Sequence, residues 1–101
     1  MENELKKNRE EITVRGKDYT IQKLPTKQAL DLRTKWIKVD WDDLVVAEDI
    51  LKYWVVSPEK LSVNDFDVIP ELMDLVAIVI TYQYGEKKTF KELMEKNKDE
   101  N

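Results

Sequence analysis

Apolar and polar residues alternate with a period of two near the start of the chain. The apolar positions flank Gly16 on both sides and are Ile12, Val14, Tyr19 and Ile21. Alternation of β-branched and aromatic residues with polar ones is typical of strands that have one buried face. Gly16 supplies the positive φ that a tight turn requires. The pattern predicts a β-hairpin over residues 10–24, and other elements must cover its apolar face or extend the sheet, because two strands alone are marginal in water.

Helical spacing of the apolar residues replaces this alternation after Pro25. Thr26 is placed to cap a helix over residues 27–38 whose buried face is formed by Ala29, Leu32 and Trp36. Asp40 is placed to cap a second helix over residues 41–55, with a main apolar stripe of Leu44, Ala47, Leu51 and Trp54. We expect the two helices to pack on the hairpin.

A third helix is predicted over residues 69–84. Pro70 lies in its first turn, where its missing N–H has no effect, and Gly85 is a natural C-terminal stop. Several β-branched residues make a strand the competing interpretation, but the length of the segment, Pro70 and Gly85 favour a helix. Just before it, Ser62 and Asp65 have the spacing of a capping box, with Asp in place of the usual Glu or Gln.

This third helix is apolar around nearly its whole circumference. A helix of that kind must be buried nearly all round, and a chain of 101 residues has few elements with which to surround it. One alternative is that the hairpin and the other two helices suffice. The other is that a second subunit or a client helix covers the remaining stripe, because an apolar helix and a groove are a common means of recognition.

The predicted fold class is therefore α+β, an N-terminal β-hairpin packed on three main helices. Residues 1–9 are polar and form a charged N-terminal arm, residues 10–85 form a single domain, and residues 86–101 form a charged C-terminal tail or short helix. The length suits one domain.

The composition argues against most enzyme classes. The chain has no cysteine and no histidine, so it lacks a thiolate nucleophile, sulfur-ligated zinc and the commonest general base and metal ligand. Its two glycines are too few for a phosphate-binding loop. The carboxylate clusters at Asp40 to Asp43, Glu48 to Asp49 and Asp65 to Asp67 are better explained by helix capping and solvation than by acid–base chemistry. We expect no enzymatic activity, no metal site and no cofactor.

Charge is abundant and unevenly distributed. Charged residues make up 38% of the chain, against roughly 25% in a typical globular protein. Residues 1–39 carry ten basic and six acidic side chains, whereas residues 40–74 carry two basic and ten acidic ones. The acidic middle repels nucleic acid, and no stretch has the roughly 20 apolar residues needed to span a bilayer. The asymmetry indicates either solvated helix faces or attraction between copies, with the basic end of one toward the acidic middle of another.

Aromatic residues and the apolar third helix provide the candidate interaction residues. Tryptophan and tyrosine are enriched at protein–protein hot spots, whereas a stacking platform for single-stranded nucleic acid needs interleaved positive charge, which is missing around Trp41. The predicted protein-binding residues are Tyr53, Trp54, Val76, Val79, Ile80, Tyr82 and Tyr84.

Four stretches of the chain carry a family resemblance: the hairpin turn GKDY at 16–19, LPTKQALDL at 24–32, ILKYWVVSPEKLSVNDFD at 50–67, and the apolar helix that ends at Gly85. In this order they resemble the tail assembly chaperones of long-tailed bacteriophages and related prophages. It covers residues 12–85 as a pattern of spacing and residue character.

The resemblance implies a non-enzymatic function. Proteins of this family bind the long tape measure protein, keep its apolar helices from aggregating and help to recruit tail tube subunits. It also implies that the protein is missing from the mature virion. Together with the residue patterns above, we expect a homo-oligomer in the host bacterial cytoplasm, with neither nucleic acid nor a membrane as partner. Two alternatives from other classes stay open: a small structural or connector protein retained in the phage particle, and an acidic regulatory adaptor.

Overall fold

A computed structural model describes residues 8–85 of the protein and has the predicted α+β architecture. The elements, in chain order, are β1 (Arg9–Val14), β2 (Lys17–Gln22), α1 (Thr26–Lys38), α2 (Asp43–Tyr53), β3 (Val55–Ser57), a 3-10 turn (Val63–Asp65) and α3 (Ile69–Tyr84). The N-terminal arm and the C-terminal tail or helix predicted from the sequence lie, apart from residues 8 and 9, outside the described residues.

The hairpin is confirmed, and its sheet is extended by a strand that the sequence did not indicate. β1 and β2 are antiparallel with Ile12 opposite Tyr19. The turn between them has positive φ at Arg15 and at Gly16, as a two-residue turn that matches the twist of the strands requires. β3 pairs antiparallel with β2, which gives the order β1-β2-β3. The predicted second helix ends at residue 55, so Val55 was expected in its last turn and Ser57 beyond it. In the structure this helix ends at Tyr53, and Val55 to Ser57 form the strand.

The predicted caps of the first two helices were wrong. α1 begins at Thr26 and the capping position is Pro25, with no side-chain cap. α2 begins at Asp43, and Asp42 rather than Asp40 caps it, because the Asp42 carboxylate accepts a hydrogen bond from the Val45 N–H.

The turn between α1 and α2 explains the displaced cap. Asp40 and Trp41 both have positive φ, and the Trp41 N–H donates to the Trp36 carbonyl at 2.7 Å. Left-handed backbone at a tryptophan is uncommon, so the tertiary contacts must compensate for it. The Trp41 ring supplies such a contact, with its centroid 5.8 Å from that of Trp36.

The third helix has the predicted bounds. Pro70 lies in the first turn of α3, and Gly85, with φ of 77°, follows its last residue. The capping box before it is also confirmed: the Ser62 hydroxyl accepts from the Asn64 N–H, and the Asp65 carboxylate accepts from the Ser62 N–H. These signals depend on neighbouring residues only, which is why the sequence revealed them.

One apolar core holds the sheet and the helices together. Its fully buried side chains come from every layer and include Ile21, Trp36, Ile50, Trp54, Leu75 and Val79. The outer face of the hairpin is polar, as the alternation predicts.

Two ion pairs fix the hairpin turn against the start of α3. Arg15 Nε lies 2.8 Å from Asp74 Oδ2, and Lys17 Nζ lies 3.0 Å from Glu71 Oε1. Glu71 is buried, and its hydrogen bond and charge raise the pKa of Lys17. Pairing a buried carboxylate in this way offsets its desolvation.

Across residues 8–85, the longest helix falls short of the length and apolarity that a bilayer crossing requires.

Candidate interaction surface

Four of the seven predicted binding residues belong to the interior of the monomer. Trp54, Val76 and Val79 have 0–1% of their surface exposed, and Ile80 has 3%. In the monomer these four side chains therefore belong to the core, and their predicted part in protein binding stays a prediction. The physical reason is that the sheet, α1 and α2 together cover the main face of α3, so the first of the two alternatives raised by that helix applies to its centre.

The three predicted tyrosines are partly buried and pack at the edge of the same core. Tyr84 donates its hydroxyl proton to the Ala29 carbonyl at 2.6 Å, and burial raises the pKa of Tyr84 to about 12. Burial also raises the pKa of Tyr82, whose ring lies under Lys23 Nζ. Tyr53 packs beside Lys52 in the same way. Tyr82 and Tyr84 thus join α3 to other parts of the molecule, whereas Tyr53 and Lys52 are neighbours in α2. Contacts of this kind within one molecule do not by themselves provide a binding site.

An aromatic cluster connects the ends of the helices. The ring of Trp36 lies 5.8 Å from Trp54 and 6.1 Å from Tyr84, measured between centroids. Gln83 completes the cluster, because its Oε1 accepts from Trp54 Nε1 at 2.9 Å and from the Leu24 N–H at 2.8 Å. A stacking platform for nucleic acid needs accessible rings, whereas Trp36 and Trp54 are enclosed.

A second polar contact in the interior joins α1 to α2. The Asp49 carboxylate accepts from Trp36 Nε1 at 2.9 Å and pairs with Lys35 Nζ at 2.9 Å. The hydrogen bond to Asp49 is the main reason that the pKa of Lys35 is raised. Asp49 is thus a buried carboxylate whose oxygens both have partners within the monomer.

Exposed apolar side chains lie on other parts of the molecule than those predicted. Four of the large ones belong to α1, to the turn after it and to the first turn of α2, and we call them the α1–α2 patch: Leu30, Ile37, Val39 and Leu44. Two more, Val68 and Ile69, directly precede or begin α3, and Ile69 is 74% exposed. Leu44 was predicted on the buried stripe of its helix, but 55% of it is exposed. The other residues of that stripe, Ala47, Leu51 and Trp54, are buried as predicted. Val46 and Ile50, on the neighbouring stripe, are buried as well.

The α1–α2 patch could have been recognised in part from the sequence. Leu30 and Ile37 are seven residues apart and lie beside the buried face of α1, so a helical projection places them together on one flank. Whether that flank is buried depends on which other elements pack against it, and the helical pattern of the sequence does not predict those elements.

Charges of opposite sign accompany the two ends of the patch. α1 carries four basic side chains and one acidic, and residues 40–49 carry five acidic side chains and no basic one. Lys35 and Asp49 neutralise each other inside the monomer. Lys27 and Lys38 on one side, and Asp43 and Glu48 on the other, are exposed.

A groove of about 460 Å³ lies between α2, β3 and the segment that follows β3. Its apolar lining comes from Leu51, Val55, Leu61 and Val63, and its polar lining from Glu48, Lys52, Lys60 and Ser62. Grooves of this size, with an apolar lining and a few polar groups, are the usual form of a ligand or peptide site. Its volume is sufficient for several apolar side chains of a partner.

The described residues offer no metal centre, since no three acidic side chains within residues 8–85 are grouped closely enough to hold an ion. A second depression, of about 410 Å³, lies on the polar outer face of the sheet between Glu11, Asp18 and Ser57. Its mixed polar surface matches solvent better than an apolar partner.

Comparison of the chain with protein-family models, with curated proteins and with solved structures yields no match in any of the three.

Proposed function

We propose that this protein is a tail assembly chaperone of a bacteriophage or prophage. It binds apolar helices of the tape measure protein, keeps that protein soluble and helps to recruit tail tube subunits. It acts without catalysis, as a homo-oligomer in the host bacterial cytoplasm, and leaves before the virion is complete. The family resemblance of residues 12–85 motivates the proposal.

The observation that carries the proposal is the apolar surface that remains after the core is complete, and the part of it that we assign to the client is the apolar lining of the groove between α2, β3 and the following segment. Six large apolar side chains are 40–74% exposed on a domain with an otherwise strongly charged surface. A holdase needs this combination, because apolar surface binds the client and charge keeps the complex in solution. Burial of apolar area contributes about 25 cal/mol per Å² before association costs are subtracted.

We assign the client to the groove between α2, β3 and the following segment. Leu61 and Val63 contribute apolar lining and are only partly buried, and Lys52 and Lys60 are exposed beside them. An amphipathic helix with an apolar stripe and at least one acidic flank is complementary to such a groove. Single contacts of this kind are weak, but many copies along one long client give high avidity.

Co-expression with a tape measure fragment tests the proposal. The fragment is expected to be soluble with the wild-type protein and to aggregate without it. A variant with Leu61→Ser and Val63→Ser should lose most of this effect. The matched control, Val68→Ser with Ile69→Ser, removes exposed apolar side chains that do not line the groove, and it should retain activity.

Two results would contradict the proposal. If the fragment is no more soluble with the wild-type protein than alone, the chaperone function is wrong. If mass spectrometry finds the protein in purified virions at the copy number of a tail component, the connector alternative is correct instead.

A further inference from the structure

We propose that the α1–α2 patch is the surface through which two copies of this chain bind each other about a two-fold axis. The inference rests on the self-association included in the proposed function, and it names the residues responsible. The sequence suggested the centre of α3 as the oligomer interface, but that region is buried in the monomer. We therefore place the interface on the α1–α2 patch and on the oppositely charged residues beside it.

The apolar part of the patch is placed to form the middle of such an interface. Leu30 and Ile37 lie on one flank of α1 and are separated by roughly 10 Å along the helix axis. Val39 follows directly in the turn, and its carbonyl accepts a hydrogen bond from the Asp42 N–H at 3.1 Å. Leu44 comes two residues later. The exposed apolar side chains therefore continue from one helix into the next.

The charges beside the patch are self-complementary. Lys27 and Lys38 belong to its α1 end, and Asp43 and Glu48 belong to its α2 end. A two-fold axis between Val39 and Leu44 sets the α1 end of one copy against the α2 end of the other, and the same contact is made twice. Opposite charges then meet at both ends, whereas a parallel arrangement would set like charges together.

Helix capping alone explains only part of this arrangement. Basic residues at the end of α1 and acidic residues at the start of α2 both stabilise helix dipoles. This accounts for Lys38 and Asp43, and an ion pair with Asp31 accounts for Lys27. It does not account for Glu48, in the middle of α2, nor for the large apolar side chains left exposed between the charges. Burial of the patch against a second copy explains all of these features.

The test uses charge reversal and mixing. One variant combines Lys27→Glu with Lys38→Glu, and the other combines Asp43→Lys with Glu48→Lys. Each variant alone brings like charges together at both ends of the two-fold interface. We therefore expect the dimer dissociation constant, measured by analytical ultracentrifugation, to rise at least about tenfold for each. Mixed at equal concentration, the variants should form a heterodimer with affinity near that of the wild type.

Controls separate this effect from misfolding and from client binding. Glu59→Lys reverses an exposed charge outside the patch and should leave the dimer unchanged, and circular dichroism verifies that each variant is folded. Wild-type protein that stays monomeric, or variants that dimerise as strongly as the wild type, would overturn the inference. Failure of the mixture to restore the dimer would do so as well.

The client assay keeps this inference distinct from the proposed function. If the wild-type protein is monomeric and still solubilises the tape measure fragment, the dimer is wrong and the chaperone stands. If, in addition, the variant with Lys27→Glu and Lys38→Glu loses client binding, the client rather than a second copy occupies the patch. This variant is decisive because Glu48, changed in the other one, also lines the groove. If the protein dimerises through the patch but never solubilises the fragment, the interface is correct and the chaperone function is wrong.

Discussion

The indole Nε1 of Trp36 donates a hydrogen bond of 2.9 Å to the carboxylate of Asp49, and this contact joins α1 to α2 inside the protein. Both side chains are buried. A buried indole N–H and a buried carboxylate each need a partner, and here each is the partner of the other. Lys35 adds a second contact to Asp49 from the solvent side. The carboxylate therefore sets how the two helices that carry the α1–α2 patch lie against each other.

Removal of that carboxylate tests its contribution. Asp49→Ala leaves Trp36 Nε1 buried without an acceptor, and we expect the free energy of unfolding to fall by about 1–3 kcal/mol. Asp31→Ala removes an exposed carboxylate that pairs with Lys27, and it should change stability by less than about 0.5 kcal/mol. Urea denaturation measures both, and equal effects would show that the buried hydrogen bond adds nothing.

Gln83 is expected to be the second polar residue on which the fold depends. Gln83→Leu removes the acceptor of Trp54 Nε1 and of the Leu24 N–H, so we expect a loss of about 2 kcal/mol or more. Gln83→Glu keeps an acceptor for both donors and should be less destabilising. Thermal unfolding compares the two variants, and a Leu variant as stable as the wild type would contradict the interpretation.

The hairpin turn provides a backbone test. Gly16 has φ of 83°, and a Cβ atom there would meet no neighbour within 4 Å. Gly16→Ala is therefore expected to destabilise the protein by about 1 kcal/mol, through backbone conformation alone. Gly16→Asn should be tolerated better, because asparagine adopts positive φ more readily. If the two variants are equally stable, the turn has rearranged.

The raised pKa of Tyr84 leads us to expect that the protein loses stability in alkali. Burial raises its pKa from 10.0 to about 12, so the folded state holds this proton more tightly than the unfolded state does. The stabilisation is fully present below pH 10 and is lost as the pH rises from 10 to about 12. Tyr84→Phe should lower stability near neutral pH by about 1 kcal/mol, since the bond to the Ala29 carbonyl is lost.

The pH dependence separates Tyr84 from the other tyrosines. Burial also raises the pKa of Tyr19 and of Tyr82, so the wild-type slope in alkali has several sources. Tyr84→Phe should make the decline above pH 10 shallower without removing it. Denaturant titrations at a series of pH values measure the slope, and an unchanged slope would show that Tyr84 does not titrate differently in the two states.

The interior position of Val79 can be checked with one substitution. Val79→Asp places a carboxylate in the fully buried core. We expect loss of cooperative unfolding, because the free-energy cost of burying an unpaired charge exceeds the free energy of unfolding of a small domain. Ala77→Asp, on the exposed side of the same helix, should leave the protein folded. A folded but dissociated Val79 variant would instead return Val79 to an interface.

The amino-acid sequence alone determined the features that depend on near neighbours. Alternation and Gly16 gave the hairpin, and Pro70 and Gly85 gave both ends of α3. The spacing of Ser62 and Asp65 gave the capping box, because each of these signals acts within one or two turns of chain. The predicted cap of the second helix failed, because Asp40 and Trp41 adopt left-handed backbone and the helix begins only at Asp43, with Asp42 as its cap.

The tertiary structure decided which apolar residues are core and which are surface. The sequence placed Leu44 on a buried stripe, which was wrong, and it proposed Val79 for an interface, whereas the structure buries Val79 in the monomer core. Burial depends on elements distant in sequence that cover a face. β3 is a further example, since three residues become a strand only where the edge of β2 accepts them. Local sequence therefore predicts where apolar residues repeat along a helix or strand. Which of those residues remain exposed is decided only by tertiary packing.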